Sequence, residues 1–207
     1  MIICLSAFYA CDPADDPVYE EGYQYRFNVV QTDADRDTVL QDTFLLKPRT
    51  SLMTWMFGHK QASWHQENNI RQKPLVINLF DNEDRLNILV PNQTSDFSHD
   101  PALPDPNISL PPDNWQELTV ERGRVASGEE VKLTYENAGE EPCPLPEYDN
   151  ENCVLVLGKQ ESDENGNVES KAWYHSEKGF LKWTYLFHPN GEEITFSLIS
   201  AEEIEEE

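Results

Sequence analysis

Positive charge is what this chain has least of: 15 Lys and Arg stand against 39 Asp and Glu in 207 residues, a formal net charge of -24. Binding to a nucleic-acid backbone or to anionic lipid head groups needs clustered Lys and Arg that displace counterions. Nucleic acid is therefore excluded as the main partner, and a membrane is within reach only through an attached anchor. Long apolar runs are missing as well, since no segment approaches the roughly 18 residues a membrane-spanning helix requires. The sequence has no GxGxxG, P-loop or GxSxG, and its histidines, His59, His65, His99, His175 and His188, form no HxH, HExxH or HxxE arrangement. Nucleotide binding, serine hydrolysis and zinc hydrolysis thus have no motif behind them, and the chain is expected not to be an enzyme. No CxxC pair is present, so neither a zinc site nor another cofactor is expected.

One acidic loop has the alternation that calcium favours: Asp33, Asp35 and Asp37 in DADRD. An EF-hand loop requires Gly at its sixth position and an acidic residue at its twelfth, where Thr38 and Phe44 stand here. A solvated hairpin loop is the expected role.

The N-terminus changes character abruptly, from MIICLSAFYAC at 1–11 to DPADDPVYEEG at 12–22. About ten apolar residues are too few to cross a bilayer but fit the hydrophobic part of a signal peptide. The arrangement resembles a bacterial lipoprotein signal, with Ala10 as the small residue before Cys11. That resemblance implies cleavage and lipidation at Cys11. Phe8 and Tyr9 are bulkier than that signal's usual residues, and no Lys or Arg precedes Arg26. The acidic, Pro- and Gly-containing stretch 12–22 reads as a solvated tether and resembles that of surface lipoproteins of the Bacteroidota. Without the resemblance, the same apolar stretch also fits a buried first strand with Cys4 and Cys11 as core residues.

If Cys11 is lipidated and Cys4 removed, Cys143 and Cys153 remain, in PCPLPEYDNENC. A bridge between them would need an oxidising compartment and would stabilise by about 3 kcal/mol in the chain-entropy model. Two unrelated thiols are the other reading.

From Gly22 onward the pattern is β. Tyr23, Tyr25, Phe27 and Val29 alternate with Gln24, Arg26 and Asn28, and TVLQDTFLLK follows a polar turn, giving a hairpin. PLVINLF (74–80) and RLNILV (85–90) flank DNED as a second hairpin. Residues 50–73, with Trp55 and Trp64, lack alternation and are assigned to a short helix or a long excursion. The proline-dense stretch 91–114 is expected to be an extended surface loop or irregular cover without regular structure and the first place to look for a partner surface. Six strands are read from the remainder: 115–125, 129–138, 153–162, 169–176, 179–189 and 192–201. Asn165-Gly166 and Asn190-Gly191 favour tight hairpins, because both residue types tolerate positive φ.

The fold class is therefore all-β, an antiparallel meander of about ten strands forming a sandwich or a partly closed barrel. It is expected as a single domain over residues 23–201, followed by an acidic tail at 202–207.

Asn152-Cys153-Val154-Leu155-Val156, Trp173-Tyr174, Lys178-Gly179 and Phe180-Leu181-Lys182 together resemble a pattern in secreted and lipid-anchored Bacteroidota proteins. The pattern covers about a fifth of the chain. It implies a curved antiparallel sheet of half-barrel type and no chemistry. Trp55, Trp64, Trp173 and Trp183 are the candidate binding residues, each with a role in the core, or as a plug of the barrel end, as the competing assignment. The functional expectation is a lipid-anchored cell-envelope protein of the outer membrane, on the surface or in the periplasm, with a binding role toward a protein, glycan or lipid, or an accessory role in a larger surface complex. The alternative is an envelope hydrolase acting on polysaccharide or peptide.

Overall fold

The structure is a computed structural model that describes residues 18–49, 60–68, 72–82, 84–92, 98–99, 103–122, 131–161, 167–188 and 190–204. Fourteen strands account for most of them: β1 Tyr23–Thr32, β2 Thr38–Arg49, β3 Lys60–Gln66, β4 Leu75–Asn82, β5 Arg85–Ile88, β6 Pro91–Asn92, β7 Ser98–His99, β8 Asn107–Ser109, β9 Glu117–Arg122, β10 Val131–Pro142, β11 Asn152–Glu161, β12 Val168–His175, β13 Gly179–Phe187 and β14 Glu192–Glu203. Twelve form one antiparallel sheet in the order β8-β5-β4-β3-β2-β1-β14-β13-β12-β11-β10-β9, and β6 and β7 make a separate pair.

This order is a meander in two halves, joined where the first and last long strands pair. β1 and β14 run side by side from Tyr23↔Glu203 to Thr32↔Glu193 in the middle of the sheet. The two edges, β8 and β9, are consecutive in the chain and joined by the short link 110–116. The sheet is therefore open there, yet its ends are kept close. One contiguous core draws buried side chains from both halves, from Leu86 and Ile108 near one edge to Leu133 and Tyr135 near the other. A flat sheet would not bring these together; the sheet curls around its inner face.

Period-two alternation places the core. Tyr25, Phe27 and Val29 on β1, Phe44 and Leu46 on β2, and Trp183 and Tyr185 on β13 point inward. At the centre Trp183 stacks on Phe196 with ring centroids 4.9 Å apart, and Phe27 lies between Trp183 and Trp64 at 4.9 and 5.5 Å. The Trp64 indole N–H donates to the Leu89 carbonyl at 2.8 Å, so its one polar atom is satisfied inside the core.

Four regions differ from the sequence reading. Residues 60–66 form strand β3, because Ala62, Ser63 and Trp64 are buried in succession and hide the alternation. The described part of the proline-dense stretch is not a surface loop, and it holds regular structure: residues 103–108 are buried, β8 is an edge strand of the main sheet, and β6 and β7 pair. Proline explains how such a segment crosses an interior, since Pro104 and Pro106 bring no N–H that must be satisfied. Several of its other polar groups are paired. Ser170 donates to the Pro104 carbonyl at 2.8 Å, the Asn87 amide and the Ile88 N–H donate to the Pro106 carbonyl, and Asp105 accepts from the Tyr185 hydroxyl at 3.0 Å and the Val90 N–H at 3.3 Å.

The domain also starts earlier than Tyr23. Tyr19 is fully buried, so the acidic tether does not extend to residue 22. The Asp81 carboxylate accepts the N–H groups of Val18 at 3.3 Å and Tyr19 at 2.8 Å, and Lys60 reaches both the Tyr19 carbonyl and Asp81. An apolar ring with its backbone held this way packs despite acidic neighbours. At the other end, β14 continues to Glu203, paired with Tyr23, so the predicted tail at 202–207 begins within the sheet.

Candidate functional site

The sheet has a second, smaller apolar cluster on its outer face. It contains Cys143, Cys153 and Leu181, with Leu145, Tyr148, Trp173 and Leu198 packed around them. Cys143 and Cys153 are joined by a disulfide, and the loop between them folds over the sheet. Two contacts hold that loop: His175 pairs with Glu151 at 2.5 Å, and the Tyr148 and His175 rings lie 5.8 Å apart; beside it, the Trp173 indole N–H donates to Glu141 on β10. Within the loop the Cys143 N–H donates to the Glu151 carbonyl at 3.0 Å.

The loop forms one wall of a cleft of about 370 Å³. Glu147 and Tyr148 come from the loop, Glu177 and Lys178 from the β12–β13 turn, Val18 and Glu20 from the N-terminal strap, and Tyr23, Tyr25 and residues 198–201 from the central strand pair. The floor arises from a register change. Arg26 pairs with Ser200 but Phe27 pairs with Leu198, so Ile199 is an extra residue on β14. A bulge of this kind turns a side chain out of the ladder, and Ile199 is 54% exposed between half-buried Leu198 and Ser200.

Two tyrosines report the electrostatics of the cleft. Burial pushes the Tyr25 phenol up to about 12; the Glu20 N–H it accepts opposes this, and the Glu20 charge adds to it. Burial raises the Tyr148 phenol too, followed by the charges of Glu147 and Glu151. Both phenols therefore stay protonated at neutral pH and act as donors in a site whose other side chains are mainly acceptors. Tyr25 uses its proton on the Val18 carbonyl at 3.2 Å.

A second groove, of about 450 Å³, lies on β9–β12 beside Gly158. Two of its four carboxylates are paired, Glu161 with Lys159 at 2.8 Å and Glu169 with His188 at 3.1 Å, and Glu117 and Glu136 line it as well.

The tryptophans divide. Trp64 and Trp183 are buried in the core and present no ligand surface, and Trp173 is half-buried with Lys182 over its ring at 5.5 Å. Trp55 and Cys11 lie outside the described residues. Asp33 serves its turn, accepting the N–H groups of Asp35 and Asp37 at 3.0 Å each. Among the described residues no group of three or more His, Cys, Asp or Glu side chains is placed to hold a metal ion. Sequence reading missed Tyr23, Tyr148 and Ile199 as cleft residues. Only the clustering of Glu147-Tyr148 between two cysteines signalled part of it.

No protein-family model and no curated protein matches the sequence. Solved structures do resemble it. A protein from Bacteroides fragilis, named as exported and of YmcC-like fold, is 10% identical, covering 88% of this chain and 96% of that one with a TM-score of 0.42. A protein named as a lipoprotein, from Parabacteroides distasonis, is 12% identical, covering 89% and 96% with a TM-score of 0.48. A beta-barrel-like protein from Brucella abortus, a domain of unknown function, is 6% identical, covering 87% and 96% with a TM-score of 0.47.

Proposed function

We propose that this chain is a lipid-anchored cell-envelope protein, attached to the outer membrane through Cys11, that binds a partner in the cleft beside its tether. The observation that carries the reading is the disulfide in the wall of that cleft. Glu147 and Tyr148 are positioned by a loop that Cys143 and Cys153 close, and such bonds persist in oxidising compartments and are rare in reducing ones. An apolar segment ending at Cys11, on the sequence side, supplies the export route and the anchor. The strap at Val18 and Tyr19 fixes where the tether meets the domain, so the cleft sits on the tether side of the molecule.

The role is binding rather than turnover. The hydrolase alternative draws on a single feature, the three carboxylates Glu20, Glu147 and Glu177 lining one cleft, and release of product from envelope polysaccharide or peptide by the purified chain would establish it. Fractionation of the native host tests the main reading. The wild-type chain is expected in the outer-membrane fraction and the Cys11→Ala variant in the soluble fraction; wild-type protein in the soluble cytoplasmic fraction overturns the proposal.

A further inference from the structure

We infer that the tether-side cleft receives a Lys- or Arg-bearing segment of a partner protein, a reading that rests on the binding role proposed above and names its ligand class. Shape comes first. At about 370 Å³ the cleft is the size of one or two side chains, at the small end of binding pockets. Its lining includes Ile199, turned outward by the bulge, and the half-buried Tyr148. An aliphatic stem can lie along such a surface while its charged head reaches the rim.

The rim sets the sign of that charge. Glu20, Glu147 and Glu177 come from three separate segments and face a single cation, Lys178. The charge of Glu20 acts on the Tyr25 phenol, and those of Glu147 and Glu151 on Tyr148, so the negative potential extends into the cleft as well as over its edge. The second groove has four lining carboxylates, of which Glu161 and Glu169 are already paired with Lys159 and His188, leaving Glu117 and Glu136 as its matched acidic pair.

The chain's two terminal segments do not suit the cleft. Residues 12–17, DPADDP, carry three Asp, and residues 205–207 are all Glu. A second copy brings another net charge of -24. Each would place like charge against the rim, which costs free energy instead of supplying it. A partner with Lys or Arg next to an apolar residue complements both floor and rim.

Titration of the ¹⁵N-labelled full chain with a capped Leu-Arg-Leu-Lys peptide at about 0.15 M salt, where long-range attraction is screened, tests this by NMR. Saturable shifts centred on Tyr23, Glu147, Glu177 and Ile199 are expected. The Glu147→Gln/Glu177→Gln pair should weaken binding about tenfold, as the loss of two partly exposed ion pairs implies. The matched pair Glu117→Gln/Glu136→Gln, in the second groove, changes net charge equally and should alter affinity less than about twofold. Shifts scattered over the surface, equal weakening by both pairs, absence of saturable binding, or shifts at these residues with maltohexaose but not with the peptide would each overturn the inference. Membrane anchoring is read separately by the fractionation of the Cys11→Ala variant, so the two proposals fail independently.

Discussion

Tyr19 lies against Gly179 so closely that a Cβ built on the glycine would fall 2.7 Å from the phenol oxygen and 2.8 Å from the ring. Gly179 also has φ +74°, which an L side chain rarely adopts. The same contact carries a hydrogen bond, since the Phe180 N–H donates to the Tyr19 hydroxyl at 3.0 Å. Strap and β12–β13 turn therefore fit each other as one unit. Gly179→Ala is expected to destabilise the domain by about 2 kcal/mol or more, from backbone strain and steric overlap together. In a Tyr19→Ala background the overlap with the ring disappears while that with Val18 Cγ1, also at 2.8 Å, stays, so the penalty should shrink without falling to that of the strained φ alone. Urea unfolding of the four proteins of this cycle checks the coupling. Additive costs would show that strap and turn do not pack as described.

Alkaline pH should loosen the same end of the molecule. Burial raises the phenols of Tyr19, Tyr25 and Tyr174 above the usual tyrosine value, Tyr25 to about 12. A group whose folded pKa exceeds its unfolded one holds its proton more tightly in the native state. Its stabilising contribution is complete below the unfolded pKa of about 10 and is lost as pH rises through the folded value. Between pH 10 and 12 each phenol that stays neutral only in the folded chain removes up to about 1.4 kcal/mol per pH unit. The urea midpoint should fall over this window, and less so in Tyr25→Phe. A flat midpoint through it would contradict the burial assigned to these rings.

The disulfide contributes locally. Cys143 and Cys153 belong to the small outer cluster, separate from the inner core built around Trp183 and Phe196. The Cys143→Ser/Cys153→Ser variant is therefore expected to remain folded but to lose about 3 kcal/mol. Half-buried Trp173, which packs in that cluster, should become more exposed, and tryptophan emission should shift to the red. Loss of all β structure on reduction would show that the loop supports the whole sheet.

How much of this was legible in the sequence depends on what each segment packs against. Strands with one wet face, such as Tyr23–Thr32 and Val168–His175, show their alternation openly, and the antiparallel meander follows from them. β3 was hidden because Ala62, Ser63 and Trp64 are all buried, and residues 103–108 because prolines there mark a segment threaded through an interior as readily as a surface loop. The position of Tyr19 could not be read locally at all. Its partners Asp81 and Phe180 lie 62 and 161 residues away, and only the closed sheet centre brings them together. The cleft was partly visible through its cysteines, while the bulge that turns Ile199 outward depends on the pairing of β1 with β14 and leaves no mark in the alternation.

Mass spectrometry of the protein isolated from its native host, under conditions that block free thiols, tests the central claim most directly. A mature chain beginning at an acylated Cys11, with Cys143 and Cys153 protected from thiol labelling, is the predicted result. An intact, unacylated segment 1–11 with both cysteines labelled would contradict it.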